Sequence, residues 1–261
     1  SGGQSGFDRI YMGRDAFDNK YPGYVAGNHN GIMLNNVRQF ECSLVMIGLA
    51  PDGTIPGNRG YGLGGDQVIN SRLGDYLENP PVVIVGSEGF AMDITGGATI
   101  SVFSVQAGLH GTNVAPNGGG LRFVDSSGVI VGHQSYPTIV AGNQGDGVVF
   151  SGSSSGNKLF STYIGTDVAQ NHRWGNTGNG LLIQNSAGHS IGGDGPVVIR
   201  GSGQCGVSIS GSTAYNNYLD NCLIYSSGLK GIYLSGGANH GIPAPVLTGT
   251  SPNSISGTFQ H

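Results

Sequence analysis

"VVIVGSEGFAMDI" (82–94), "TIVAGNQGDGVVF" (138–150) and "VVIRGSGQCGVSI" (197–209) are one pattern written three times. Each is a short apolar strand, a glycine-containing corner and a second apolar strand, and their starts at 82, 138 and 197 keep a nearly constant interval. A second set keeps nearly the same period: "MIGLAPDGTIPGNRGYGL" (46–63), "QAGLHGTNVAPNGGGL" (106–121) and "YIGTDVAQNHRWGNTGNGL" (163–181). In each of these a strand ends in glycine, a polar loop follows, and a glycine precedes the next strand. Two independent markers on one period identify a repeat architecture.

The strands are brief, and no helix-period segment of ten or more residues links them. Parallel strands ordinarily need long, usually helical, crossovers. A solenoid avoids them by laying the strands of each coil on those of the coil before. The expected fold is therefore all-β, a single-stranded parallel β-helix over 40–249, read as about ten coils of roughly 20 residues. A sandwich or propeller would want hairpin turns and longer strands. Residues 1–39 are expected to form an irregular N-terminal coil or cap. The charged and aromatic stretch 7–31 could instead be part of a cleft. Residues 250–261 are read as a tail or the start of a following β domain.

Composition agrees. Glycine makes up 50 of 261 residues and charged residues only 10%, with a net charge of −4. The glycines keep no three-residue period, which excludes collagen. Recurrent Val/Ile/Leu runs exclude disorder. Many corners needing positive φ explain the glycine and asparagine content. No apolar run is long enough to span a membrane, and "SGGQSGFDRI" has neither the basic start nor the apolar run of a secretion signal. With 11 basic residues against 15 acidic ones and no basic cluster, nucleic acid is not an expected partner. The three cysteines form no CxxC pair, so no metal or cofactor is expected. Cys205 and Cys222, about one coil apart on this reading, are a disulfide candidate if they share a phase of the coil.

"NKLFSTYIGTD" followed by "GNTGNGLLIQNSAGHSIGG" resembles a repeat of large secreted bacterial proteins. The matching positions are Asn157, Leu159, Tyr163 to Asp167, Gly175, Asn176, Gly180, Leu181, Ile183 and Ile191 to Gly193. The match is close over 157–249 and loose over 40–156, where Ala107-Gly108-Leu109 stands in place of Ile-Gly-Thr. The resemblance implies a right-handed parallel β-helix, export, and a place in a longer secreted or cell-surface protein. It implies no single chemistry, because related β-helix families include polysaccharide lyases, hydrolases, tailspikes and adhesins.

No repeat-equivalent positions build a column of acids, so the two-carboxylate pattern of a glycoside hydrolase is not visible. The Gly-His-Gly element of hydrolases of this fold is absent as well. His133 and His189 are read as equivalent structural turns. The polar loops 49–61, 109–118 and 166–178 should emerge on one flank, carrying Asp52, Arg59 and Tyr61; His110, Asn113 and Asn117; and Asp167, Asn171, His172, Arg173 and Trp174. An exposed aromatic ring beside Asn, Asp and Arg suits a sugar, stacking on its apolar face and bonding its hydroxyls. The alternative is that Trp174 folds back on the solenoid and Arg173 pairs with Asp167. The sequence thus points to a non-enzymatic extracellular module, a rigid spacer and adhesive surface whose partner is a polysaccharide or cell-surface glycan. A lateral-groove lyase or hydrolase, and end-to-end association through terminal coils, are the competing readings.

Overall fold

A computed structural model describes residues 10–12, 22–74, 81–241, 246–251 and 254–258. It is a parallel β-helix of three 8-stranded sheets, joined by three corners per turn. Sheet 1 runs from Ile10–Met12 to Tyr218–Leu219, sheet 2 from Gly23–Val25 to Cys222–Tyr225, and sheet 3 from Ile32–Asn35 to Ile232–Ser235. Each of the eight rungs contributes one strand to each sheet.

The coil is longer than the sequence suggested. Val131 of sheet 1 pairs with Leu159, and Leu159 in turn with Ile191. Three strands and three corners need about 30 residues, well within the range of solenoid repeats. The shorter coil and the count of ten are therefore both corrected. The interval between the three repeated segments is two rungs, not three coils. At one strand spacing per rung, the eight rungs make a rod roughly 35 Å long. The first rung also begins ahead of residue 40, because Ile10 pairs with Phe40, Gly23 with Val45 and Ile32 with Leu63. The charged residues Asp8, Arg9, Arg14, Asp15, Asp18 and Lys20 lie outside the described residues. At the other end, Val246–Ser251 and Ser254–Thr258 form an antiparallel hairpin.

Inward-facing side chains stack in columns. Val82, Val105 and Thr138 follow one another in sheet 2, and Met92, Leu121, Val148 and Leu181 in sheet 3, all buried. Two polar ladders run beside these columns. At the corner between sheets 2 and 3, the amides of Asn117, Asn143 and Asn176 are stacked. The Asn117 side chain donates to Asn143 Oδ1 at 3.0 Å, and the Asn143 side chain to Asn176 Oδ1 at 2.9 Å. Each also donates to a backbone carbonyl, of Ile84, Ala107 and Val140 in turn. Fully satisfied, such a network fixes the register of the rungs.

At the corner between sheets 3 and 1, Asn157, His189 and Asn217 form the second ladder. The Asn157 backbone N–H donates to His189 Nδ1 at 3.2 Å, so that nitrogen carries the lone pair. The proton is then on Nε2, 2.6 Å from Ser186 Oγ. The ring, fully buried and stacked 4.8 Å from Phe150, fills a rung where its neighbours are asparagines. Burial lowers its pKa to about 4. His133 is not its equivalent: it lies in the corner after Ile130–Val131, against Phe103 and Tyr136.

The cysteines do not pair. Cys205 sits in the corner before Val207–Ser210 and Cys222 opens a strand of sheet 2, so they occupy different phases of the coil, and both thiols are free. Burial pushes Cys42 up to about 12 and Cys222 up to about 11. On the last rung, Ile232 and Leu223 are about half exposed, and an open apolar cavity of about 210 Å³ is lined by Ile209, Leu219, Ile232 and Leu234 among others.

Candidate functional site: a row of hairpins on one flank

Long and short connections alternate along the corner that follows sheet 2 as far as rung 7, and rung 8 is short again. The three long ones each form a hairpin. Gly57 N–H closes on Gly48 O, Ala115 N–H on Gly108 O, and Trp174 N–H on Gly165 O. Each opens on a left-handed glycine, with φ of 87°, 91° and 77°. A Cβ there would overlap the carbonyl oxygen of Val85, Ala141 or Arg200 on the next rung. Because the strands are in register, the hairpins leave the rod at the same phase, two rungs or roughly 9.6 Å apart.

The repeat holds residue by residue. The interval from Ile55 to Val114 equals that from Val114 to Arg173, and the same interval joins Asn58, Asn117 and Asn176. Ile55, Val114 and Arg173 pack on the left-handed glycines Gly86, Gly142 and Gly201 of the following rung. Around the first hairpin the outer face of sheet 2 is apolar, with Met46, Leu49, Val83, Val85 and, from the second hairpin, Ala115 forming a small outer core. In the third unit the equivalents of Leu49, Val85 and Ala115 are Thr166, Arg200 and Trp174.

This geometry sorts the residues singled out from sequence. Asp52, His110 and Asn113 lie on the first and second hairpins. Asp52 accepts from the hydroxyl and backbone of Thr54, which holds its carboxyl below the usual range, and so stabilises its own turn. Asn117 does not reach the flank: it is a buried ladder rung with its amide engaged on both sides. Arg59 and Tyr61 follow the ladder residue Asn58 towards sheet 3. Tyr61 borders Gly64 and Gly89 there, near Arg122, which forms a two-point ion pair with Asp93.

Asp167, Asn171, His172, Arg173 and Trp174 do come together on the third hairpin. His172 and Trp174 are parallel, ring centroids 4.4 Å apart with 1° between planes. His172 Nδ1 lies 2.9 Å from Asp167 Oδ2, and its backbone N–H donates to Oδ1 of the same carboxylate. Burial raises the Asp167 pKa, but the hydrogen bonds from His172 and the Asn171 backbone outweigh it, and the carboxyl sits below its ordinary value. An acceptor-only carboxylate requires the His172 proton on Nδ1, which turns Nε2 outward. Of the alternative reading, the Arg173–Asp167 pair is absent, since Arg173 reaches two rungs on to the Ser226 carbonyl at 3.3 Å, whereas Trp174 is indeed partly buried rather than fully exposed.

Three residues that sequence reasoning passed over complete the site. Arg200 donates to the Gln170 and His172 carbonyls and lies over the Tyr225 ring at 5.4 Å. Tyr225 hydroxyl bonds the Gln170 side chain at 3.2 Å. Rungs 7 and 8 thus hold the hairpin of rung 6 in place, which pre-organises its polar groups. Among the described residues, no group of three or more His, Cys, Asp and Glu is placed to hold a metal ion. None of their helices is long and apolar enough to cross a membrane.

No family model matches the chain, and no curated protein matches it. Among solved structures it is similar to the crystal structure of the periplasmic alginate epimerase AlgG. The identity is 13% and the TM-score 0.43, over 82% of this chain and 50% of that one. A point mutant of AlgG gives the same identity and TM-score over 85% of this chain and 52% of that one. The chain therefore spans about half the length of these structures.

Proposed function

We propose that the chain is a rigid β-helical module of a secreted or cell-surface protein, and that its hairpin flank binds a polysaccharide. The observation carrying this reading is the His172–Trp174 stack beside Asp167, Arg173 and Asn171 on a hairpin braced from two further rungs. The exposed His172 ring, backed by the partly buried Trp174, offers a flat face for a sugar to stack on, and the surrounding amide, carboxylate and guanidinium groups match hydroxyls. The row runs parallel to the rod axis, so an extended sugar chain laid along it meets a hairpin every two rungs. Export and membership of the secreted repeat proteins that 157–249 resembles belong to the same proposal.

Support for a binding role over catalysis comes from what five of the described carboxylates do. Asp93 is held by Arg122, Asp125 by Ser153, Asp146 by Asn179, Asp194 by Lys158 and Glu41 by Arg72. These contacts tie rung to rung. One observation favours a second reading, a lyase: Asp167 orients His172 with Nε2 open, as a general base requires. A panel of oligosaccharides followed by calorimetry and by absorbance of unsaturated sugars separates the two. Heat of binding without new absorbance is expected. New absorbance that disappears in His172→Gln would establish the lyase and overturn the binding module.

A further inference from the structure

We propose that the third hairpin selects anionic sugar chains, with the exposed Arg173 receiving the oxyanion of a uronate or sulfated sugar and Arg200 holding the hairpin from below and adding its charge. This rests on the polysaccharide-binding reading and adds the ligand class.

Arg173 lies on the third hairpin and Arg200 beneath it. The Arg173 stem crosses Gly201, the residue after Arg200, and Arg200 reaches under the same hairpin to the Gln170 and His172 carbonyls. Neither has a carboxylate partner among the described residues. Arg173 bonds only the Ser226 carbonyl, and Arg200 Nε is buried with no partner at all. By contrast Arg72, Arg122 and Lys158 each have an acid. The carboxylate on the same hairpin, Asp167, is committed to His172.

The fold does not ask for these charges. Val85 and Ala141 fill the position of Arg200, and Ile55 and Val114 that of Arg173, in otherwise equivalent units. The part-buried Arg200 guanidinium is costly without a counter-charge, and the planar fork of the exposed Arg173 matches carboxylate and sulfate oxygens. A negatively charged chain with few basic residues has thus concentrated two unpaired ones beside its stacked rings.

The test is titration of the whole chain with a galacturonic acid hexamer, dextran sulfate and neutral cellohexaose. The wild type is expected to bind at least one anionic chain ten or more times tighter than cellohexaose, with affinity falling as salt rises. Arg173→Gln and Arg200→Gln are each expected to lose five- to tenfold for that anion while the melting temperature stays within a few degrees. Arg173 is exposed, so its variant remains informative if Arg200→Gln folds poorly. The two anionic arms tell a carboxylate from a sulfate ligand. Equal binding of cellohexaose, or anionic binding unchanged in Arg173→Gln, would overturn the anion selection and leave the polysaccharide reading standing. No binding of any of the three would sink both.

Discussion

The first and third hairpins hang from the same backbone device and do different work. Both open on a left-handed glycine, both close on it, and both run on into a ladder asparagine, Asn58 or Asn176. Beneath the first lies an apolar patch of Leu49, Val83 and Val85. Beneath the third, Thr166 and Arg200 take the places of Leu49 and Val85, and Trp174 takes that of Pro56. The pair separates what the solenoid needs, a glycine and a ladder amide, from what it merely tolerates on its outer face. Residues that differ where the frame is constant are the ones to suspect of function.

The largest effect should be the one the two units share. Gly48→Ala and Gly165→Ala both force a Cβ onto a carbonyl of the next rung at a left-handed φ, and each should cost on the order of 4 kcal/mol by denaturant unfolding. A large difference between the two would break the equivalence. Next comes exchange of the outer faces. Val85→Arg places a charge where the side chain is fully buried without the carbonyls that Arg200 uses, and should cost roughly 3–4 kcal/mol. Arg200→Val loses the hydrogen bonds to the Gln170 and His172 carbonyls and should cost about 1.5–2 kcal/mol, while removing anionic-sugar selection.

A pH series sharpens the contrast between the frame and its outer loops. His189 is neutral in the folded frame, with a pKa of about 4 against an ordinary value of 6.5. The unfolded chain therefore binds the extra proton first. The stability is complete above pH 6.5, falls between 6.5 and 4, and loses on the order of 3 kcal/mol across that window. His189→Asn, matching its ladder neighbours Asn157 and Asn217, should flatten that part of the melting curve. The smallest expected change in stability is in Trp174→Ala. It should lose about 1 kcal/mol on unfolding, while sugar affinity drops about tenfold in the same calorimetric titration. Pro56→Ala, at the equivalent place on the first hairpin, should leave affinity unchanged.

Much of this was readable in the chain. The apolar segments at 82, 138 and 197 and the polar loops that precede them carried the parallel β-helix and the common flank, because register turns sequence period into spatial alignment. The length of one coil was not readable. Two-residue strands such as Lys158–Leu159 and Ser190–Ile191 are too short to show the alternation of a strand, so sheet 1 left no mark and each three-strand coil looked shorter than it is. That miscount created the Cys205–Cys222 pair.

Asn117 was misplaced for a related reason. An asparagine in a glycine-rich loop looks the same whether it faces water or stacks on Asn143. Arg200, in contrast, stood in plain view. It is the fourth residue of "VVIRG", where its two sister segments have valine and alanine. In a set of segments defined by their agreement, that single disagreement was the signal for the site.

The alternation of long and short corners also limits how such a rod can grow. Splicing in one rung would keep every backbone hydrogen bond, since any rung can pair with any other. If that rung carried a hairpin, it would also bring two hairpins onto adjacent rungs, at half their present separation, where the glycine that each one rests on would be missing. Splicing in a hairpin rung together with a short one avoids the collision, whereas a short rung alone is tolerated, as rungs 7 and 8 show. Hairpins in this molecule can therefore be added only with a spacer, and a homologue lengthened by extra hairpins should carry them at the same interval.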